Sequence, residues 1–198
     1  RVSCLRRKRI LSLTEVFAAS YILYSKYHNP YSKKSSDIID TIYTINQFKE
    51  IEKKRKNKLF LFGFSRWKRK FIYPYLKEFD PQKVYFVNSN IKSCLQYARK
   101  FGLTEKSMIY IWGSKLFPDI EKYAKKNKIN IVRVEDGFIR SVGLGSDLTR
   151  PLSLAFDDLG IYYNPLKESR LERILNKNIF NKQMILDAEN LIDQIVNL

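Results

Sequence analysis

Four short apolar runs recur about 25 residues apart along the middle of the chain, at residues 59–62, 84–87, 108–112 and 129–134. A segment whose apolar residues have helical spacing follows each of the first three. Strands that are apolar on both faces and alternate with helices are typical of a parallel sheet whose two faces are covered. The pattern therefore predicts an α/β fold, a Rossmann-like parallel sheet with flanking helices.

The helices between these runs are predicted to begin at polar residues that can cap them. Ser65 is placed to cap a helix that opens at residue 66, and Asn88, Ser89 and Asn90 precede a helix at residues 91–101. A third helix is expected around residues 116–127.

The carboxyl ends of parallel strands lie on one edge of a sheet, so the residues that follow the four runs are expected to meet there. They are Gly63, Ser65, Asn88 to Asn90, Gly113, Ser114, Glu135, Asp136 and Gly137. Glycine lets a ligand approach the backbone, and helix N-termini offer N–H groups to an anion. None of these glycines forms a dinucleotide fingerprint or a P-loop. The edge as a whole indicates an anionic ligand that meets a pair of carboxylates.

The carboxylate pair is the strongest chemical signal in the chain. Glu135 and Asp136 follow the fourth run, and a second apolar run at residues 152–156 ends on Asp157 and Asp158. Acidic residues at strand ends suit glycosyl transfer, where carboxylates serve as nucleophile or as acid and base. The alternative is that Glu135 and Asp136 only cap a helix or punctuate a turn.

Net charge divides the chain unevenly. The formal net charge is +17, and residues 1–134 carry 30 Lys or Arg against 10 Asp or Glu, whereas residues 135–198 carry 7 against 10. A basic front half indicates an anionic partner: nucleic acid, an acidic membrane surface, or a phosphorylated or carboxylated small molecule. Scattered surface lysines are the alternative explanation of most of this excess.

The cysteine and histidine content predicts neither a metal site nor a disulfide framework. The chain has two cysteines, far apart, and one histidine, His28. A reducing cytoplasm is the natural inference. No apolar run approaches the roughly 18 residues of a membrane span, and no signal peptide is visible.

Helical patterns also precede the predicted sheet. One helix is expected to begin with Thr14 as its N-cap and to end before His28. Residues 31–36 are polar and turn-like, and a weaker helix follows at residues 38–48. The charged residues 49–58 are interpreted as a connector.

Two more helices are predicted after the sheet. Asn164 and Pro165 break the chain, and Ser169 can cap a short helix behind them. A longer amphipathic helix carries apolar residues in one stripe from Met184 to Ile195, for which packing is the expected role.

Two stretches carry a resemblance to a known family. They are VEDGFIRSVGLGSDLTRPLSLAFDDLGIYYNP with the later SRLE, and LFGFSRWKR near residue 60. They resemble the capsular polysaccharide biosynthesis and export family KpsC (LipB). These are bacterial retaining β-Kdo glycosyltransferases that transfer Kdo from CMP-Kdo to a lipid-linked, phosphatidylglycerol-type acceptor and contain two related catalytic modules.

The resemblance implies a domain organisation for a piece of a longer protein. Residues 1–48 resemble the helical tail of an upstream catalytic module, and residues 49–58 are the charged linker. Residues 59–165 resemble the acceptor-side Rossmann-like domain, one half of a GT-B-like enzyme. Residues 166–198 resemble a helical segment that leads to a donor-binding domain.

The resemblance also implies roles for particular residues. Glu135 and Asp136 would carry covalent catalysis and acceptor deprotonation, without an indication of which does which. The substrate-binding residues would be Gly63, Ser65, Arg66, Trp67, Lys68, Arg69, Gly113, Ser114, Gly137, Arg140, Ser141, Gly143 and Gly145. No metal and no cofactor are implied besides CMP-Kdo as donor substrate. The chain departs from such enzymes in lacking the His-Pro motif that binds the CMP phosphate, because His28 is separated from Pro30 and lies elsewhere.

Partners and location follow from the same resemblance. CMP-Kdo, a lipid-linked Kdo acceptor, the anionic inner-membrane surface and the capsule assembly and export machinery are expected, and nucleic acid is not. The protein would be cytoplasmic and peripheral on the inner membrane, and this chain alone would be inactive. A non-catalytic basic module for an anionic membrane or nucleic acid is the alternative.

Overall fold

The structure, a computed structural model, describes residues 11–91, 93–141, 149–177 and 179–197. The chain divides into two compact units, Arg1–Lys54 and Arg55–Leu198.

The described part of the first unit, from residue 11, contains two helical segments and a short hairpin. Helix α1 (Leu13–Phe17) continues as a π-helix (Ala18–Tyr24), strands β1 (Tyr27–Asn29) and β2 (Lys34–Ser36) pair antiparallel, and α2 (Ile38–Lys56) begins after them. The segment expected to be only turn-like thus includes a strand. Asn29 builds the turn, because its side-chain oxygen accepts the N–H groups of Tyr31 and Ser32 at 2.9 and 3.2 Å.

Two expectations for these helices were wrong. Helix α1 is capped by Ser12 rather than Thr14, because Ser12 and Glu15 form a reciprocal capping box. Helix α2 does not end near Phe48. It continues through most of the charged run to Lys56, since Lys, Glu and Arg are good helix formers on an exposed surface.

The second unit is an α/β layer structure. Its strands are β3 (Leu59–Phe62), β4 (Val84–Val87), β5 (Met108–Trp112), β6 (Ile131–Asp136) and β7 (Leu154–Asp157). Its α-helices are α3 (Arg66–Ile72), α4 (Cys94–Lys100), α5 (Pro118–Lys126), α6 (Arg170–Lys177) and α7 (Lys182–Val196). Two 3₁₀ turns, Tyr73–Leu76 and Pro81–Lys83, connect α3 to β4.

The described strands of this unit form one sheet in the order β4-β3-β5-β6-β7. Strands β3 to β6 pair in parallel, which confirms the predicted fold class. Strand β7 pairs antiparallel with β6, so that Asp157 lies opposite Arg133 and Leu154 lies opposite Asp136. The carboxyl end of β7 therefore lies at the edge opposite to the other strand ends. Asp157 ends β7, as the acidic end of this apolar run predicted, but at the edge of the sheet opposite to Glu135 and Asp136.

Apolar side chains fill both faces of the sheet. Strand β3 lies between β4 and β5, and all four of its residues are fully buried. Phe60 and Phe62 belong to the cluster on the α4 and α5 face, whereas Leu59 and Leu61 belong to the cluster on the α3 face. This two-sided burial explains why the strand is a continuous apolar run instead of an alternating one.

Strand β6 begins two residues later than predicted. Lys128 has a left-handed backbone with φ of 56°, and the N–H of Ile129 donates to the carbonyl of Ala124 at 2.9 Å. Ile129 therefore closes the end of α5 and cannot pair in the sheet. The strand gains Glu135 and Asp136 at its other end, because β7 pairs with both of them.

The helix starts follow the capping residues. Ser65 caps α3 as predicted and accepts the N–H of Lys68. Ser93 caps α4, so this helix begins three residues later than expected. Helices α6 and α7 have no buried residue among their described positions, and the apolar stripe of α7 is exposed.

Within the described parts of the chain, none of the helices is both long enough and apolar enough to cross a membrane.

Candidate functional site

The carboxyl ends of β3, β5 and β6 lie on one edge of the sheet, beside two tight turns. Gly63 and Gly113 follow β3 and β5 with φ of 78° and 60°. Lys115 spans the two turns, because its ammonium group donates to the carbonyl of Gly63 at 2.8 Å. The turns therefore place a cation next to the end of β6, while the two glycines themselves are buried.

Glu135 and Asp136 are the last two residues of β6 and lie on opposite faces of the sheet, since successive residues of a strand alternate. Val134 packs in the cluster on the α3 face, which is also the face of Asp136. Arg133 contacts Glu121 of α5, and Glu135 shares that face. Both carboxylates nevertheless lie within electrostatic reach of Lys68 at the end of the strand.

Glu135 is held through both of its carboxylate oxygens. Oε2 accepts the hydroxyl of Tyr163 at 3.1 Å, and Oε1 accepts the main-chain N–H of Asp136 at 3.1 Å. The hydroxyl of Tyr163 also accepts the main-chain N–H of Ser114 at 3.2 Å. Burial, and next the charge of Glu135, raise the pKa of Tyr163, so its hydroxyl keeps the proton that it donates.

Asp136 forms an ion pair on the other face. Its Oδ2 accepts the Nε of Arg140 at 2.7 Å, and Arg140 also donates to the hydroxyl of Ser141 at 2.9 Å. The other oxygen, Oδ1, is buried and has no hydrogen-bond partner among the described residues. Buried carboxylate oxygens in native proteins are generally paired, so this atom is an exception among the described residues.

Gly137 brings β7 close to the end of β6. Its N–H donates to the carbonyl of Ser153 at 3.0 Å. A Cβ on Gly137 would overlap the side chain of Ser153, so a larger residue would push the strands apart. The hydroxyl of Tyr162 donates to the carbonyl of Asp136 at 3.1 Å and further fixes the backbone here.

Lys68 adds a partly buried cation on the α3 face. Its ammonium group lies 3.5 Å from the centre of the Trp112 ring. Burial lowers the pKa of Lys68 to about 8, although the charges of Glu135 and Asp136 act to raise it. Lys115 and Arg140 lower it further. The site thus combines two carboxylates with three cations in electrostatic contact.

This arrangement can bind an anionic ligand and supply carboxylate chemistry to it. Lys68, Lys115 and Arg140 can compensate a phosphate or a sugar carboxylate. Glu135 and Asp136 can act as nucleophile or as base. No group of three or more His, Cys, Asp or Glu side chains that could hold a metal occurs in the part of the chain that the structure describes.

Comparison with known proteins shows which family the chain resembles. A family model described as capsule polysaccharide biosynthesis protein matches residues 108–193. The capsule polysaccharide modification protein LipA of Neisseria meningitidis serogroup B is 35% identical over 178 residues, which is 90% of this chain. The chain belongs to the capsule polysaccharide biosynthesis family. The expected family is confirmed, although these Neisseria relatives carry the name LipA and not LipB.

A further curated protein is similar over a shorter part of the chain. The lipopolysaccharide-processing protein LpsZ of Rhizobium meliloti is 35% identical over 119 residues, which is 60% of this chain. The chain spans about a quarter of the length of these curated relatives, 24% of LipA and 26% of LpsZ.

Two solved structures are also similar to the chain. The β-Kdo 2,7 transferase of Thermosulfurimonas dismutans KpsC has a TM-score of 0.47 at 26% identity, over 69% of this chain and 42% of that one. The β-Kdo 2,4 transferase of the same protein has a TM-score of 0.43 at 29% identity, over 65% of this chain and 36% of that one.

Most of the predicted site residues come together at the end of β6. They are Gly63, Lys68, Gly113, Ser114, Glu135, Asp136, Gly137, Arg140 and Ser141. Those from Gly113 onward lie inside the segment that the family model matches. Gly143 and Gly145 lie outside the described residues.

The remaining predicted residues serve other purposes in the structure. The hydroxyl of Ser65 caps α3, and Trp67 packs edge to face on Phe71. Arg69 points to the end of β4, where it donates to the side chain of Asn88. Arg66 is exposed in the first turn of α3.

Sequence reasoning missed Tyr163 and Trp112. Trp112 is the last residue of a buried strand and reads as core, whereas its ring also carries Lys68. Tyr163 lies 28 residues beyond Glu135 and reaches it only because β7 folds back on β6. No local pattern marks either residue.

Proposed function

We propose that this chain is the carboxylate-bearing part of a retaining β-Kdo glycosyltransferase that acts in capsular polysaccharide biosynthesis and export. The donor would be CMP-Kdo, and the acceptor a lipid-linked glycan of the phosphatidylglycerol type. The observation that carries the proposal is the pair Glu135 and Asp136 at the end of β6, within the family match and next to Lys68, Lys115 and Arg140. The names of the curated relatives, capsule polysaccharide modification and lipopolysaccharide processing, support the same substrate class.

The chemistry of the substrates fits the charges of the site. Both Kdo and CMP are anionic, and the three cations would bind the sugar carboxylate or the phosphate. One carboxylate would bond to the anomeric carbon as the bond to the CMP phosphate oxygen breaks. The acceptor hydroxyl would then give its proton to the other carboxylate and displace the first, so that the configuration is retained.

The test uses amide variants in the full-length protein. Glu135→Gln and Asp136→Asn are near-isosteric and should preserve the fold. At least one of them should lower Kdo transfer from CMP-Kdo by about 10²-fold or more, the scale for loss of an acid–base group.

Asp158→Asn is the matched control. Asp158 is paired with Arg170 at the opposite edge of the sheet, so the same chemical change there should leave turnover close to wild type. If both amide variants at positions 135 and 136 stay folded and turn over at the wild-type rate, the catalytic proposal fails.

The domain organisation is part of the proposal. Residues 59–165 would bind the acceptor, residues 166–198 would lead to a donor-binding domain, and residues 1–58 would join this domain to an upstream module. The basic front half would hold the protein on the anionic inner-membrane surface, near the export machinery.

The same charge favours a second candidate, a non-catalytic basic module for an anionic membrane or nucleic acid. Binding to generic DNA or RNA with a steep salt dependence would support that candidate instead.

A further inference from the structure

The hydroxyl of Tyr163 connects two parts of the site that are remote in the chain. It accepts the N–H of Ser114, in the turn after β5, and donates to Oε2 of Glu135, at the end of β6. The direction of the second bond is set, because an ionised carboxylate can only accept. A main-chain N–H is thereby relayed through a phenol to one oxygen of Glu135.

Gly113 is shaped for this bridge. Its φ of 60° is a conformation that L side chains rarely adopt. A Cβ there would lie 2.8 Å from Oε2 of Glu135 and 2.8 Å from the hydroxyl of Tyr163. The turn thus leaves room for these two atoms to meet, and this observation is independent of the hydrogen bonds.

The bridge leaves little freedom to the Glu135 side chain. Its Oε1 accepts the N–H of Asp136, so each oxygen has its own donor from a different direction. A glutamate at the end of a strand otherwise has three rotatable bonds and loses rotamer entropy when it is ordered. The hydrogen bond from Tyr163 orders the Glu135 side chain before a substrate binds, so this entropy is not lost again on binding.

The packing of Tyr163 does not account for its position. The residue is 46% exposed, and its described ring contact is an edge-to-face one with Tyr162. A tyrosine retained for its apolar surface would bury its ring and leave the hydroxyl at the surface. Here the hydroxyl makes both bonds while nearly half of the residue stays in solvent.

We propose that Tyr163 is a positioning residue, whose hydroxyl relays the N–H of Ser114 to Glu135 and holds that carboxylate in its reactive orientation. The role rests on the proposed function, because it needs Glu135 to take part in transfer.

The test is Tyr163→Phe in the full-length protein, which removes the hydroxyl and keeps the ring. The kcat for Kdo transfer should fall about 10-fold or more, with KM within about twofold of wild type, since one donor to the carboxylate and its orientation are lost. In a protein that already carries Glu135→Gln, the same change should have no further effect on turnover, because Tyr163 acts through Glu135.

Tyr75→Phe is the matched control. Its hydroxyl also makes one long-range bond to a main-chain carbonyl, that of Pro151 at 3.0 Å, and touches neither carboxylate. This variant loses one hydroxyl hydrogen bond, against two in Tyr163→Phe, and should keep its kcat. Equal losses of kcat in the two variants would reduce Tyr163 to a structural residue and overturn the proposal.

Hydrogen exchange, which needs no activity, distinguishes failure of the positioning role of Tyr163 from failure of the proposed function of Glu135. Hydrogen exchange at the peptide that contains Ser114 should quicken in Tyr163→Phe and not in Tyr75→Phe, because only the first removes the acceptor of that N–H. Faster exchange with an unchanged kcat would overturn the positioning role. Full turnover by Glu135→Gln would refute the proposed function of Glu135, and the exchange data would still report the bridge.

Discussion

At the scale of single residues, the site is defined by how each charge is compensated. Asp136 forms an ion pair, whereas Glu135 accepts hydrogen bonds from two neutral donors. The ammonium group of Lys68 lies over an aromatic ring and also interacts with the charges of both carboxylates. Arg140 can exert a full positive charge on its partner, whereas a phenol and an amide can only donate hydrogen bonds. Two adjacent carboxylates are therefore placed in different environments, which is the requirement for two different chemical roles.

Lys68 gives a prediction for stability against pH. Burial lowers its pKa from 10.5 to about 8, so the folded chain binds fewer protons than the unfolded chain between these two values. The free energy of unfolding should therefore rise with pH across that window and be lowest, as far as Lys68 is concerned, below about pH 8. Lys68→Met should stabilise the protein at pH 7, with Tm higher by about 2–4 °C, and should remove this part of the pH dependence.

Urea unfolding of wild type and Lys68→Met between pH 7 and pH 10 measures the difference between them. Lys70→Met, which removes an exposed lysine from the same helix, is the control and should follow the wild-type curve. A Lys68→Met protein that is less stable than wild type at pH 7 would show that the carboxylates outweigh the cost of burial. Transfer activity should fall in Lys68→Met even as stability rises, because one of the cations proposed to bind the anionic substrate is lost.

At the scale of elements, the sequence pattern predicted the strand bounds that depend only on local sequence. The bounds of β3, β4 and β5 were correct, because a continuous apolar run between polar turns leaves few other registers. The start of β6 was not, since it depends on the left-handed turn at Lys128. The direction of β7 depends on its pairing with β6, which no periodicity within residues 152–156 encodes.

The same division applies to the site. The edge with Gly63, Gly113 and the acidic pair could be predicted, because parallel strands bring their ends together. Because β7 runs antiparallel to β6, Asp157 and Asp158 lie at the opposite edge of the sheet, and the chain that follows β7 brings Tyr163 to Glu135. Both results follow from one non-local pairing.

Asp157 gives the prediction for this element. Its Oδ1 accepts the N–H groups of Leu159 and Gly160 at 2.8 and 2.9 Å, and its Oδ2 accepts that of Arg170 at 2.8 Å. It is buried and joins the end of β7 to the start of α6. Asp157→Ala would leave these donors without an acceptor and should lower the free energy of unfolding by about 2–4 kcal/mol.

Chemical denaturation measures this loss, with Asp158→Ala as the comparison. Asp158 forms a partly exposed ion pair with Arg170, and its removal should cost less than about 1 kcal/mol. Turnover per folded molecule should be unchanged in both variants, because the two residues lie at the edge opposite to Glu135. A specific loss of kcat in folded Asp157→Ala would contradict a purely structural role for this residue.

At the scale of the whole molecule, charge and chemistry are segregated along the sequence. The net charge of residues 1–134 is strongly positive, whereas residues 135–198, with the carboxylate pair, are slightly acidic. Exposed aromatic and aliphatic side chains accompany the basic residues in the first unit, among them Phe17, Tyr21 and Tyr24. A basic surface with exposed aromatic rings suits contact with anionic headgroups.

The prediction at this scale concerns how the full-length protein is held at a membrane. If contact is electrostatic, it should float with vesicles that contain phosphatidylglycerol and not with neutral phosphatidylcholine vesicles. It should also leave the anionic vesicles as salt rises from about 0.1 M to 1 M, since the Debye length falls from about 10 Å to 3 Å. A protein that stays on membranes through both high salt and a carbonate wash would contradict this mode of attachment. Tighter binding to generic DNA than to anionic vesicles of equal charge, with a steep salt dependence, would instead support a nucleic-acid module.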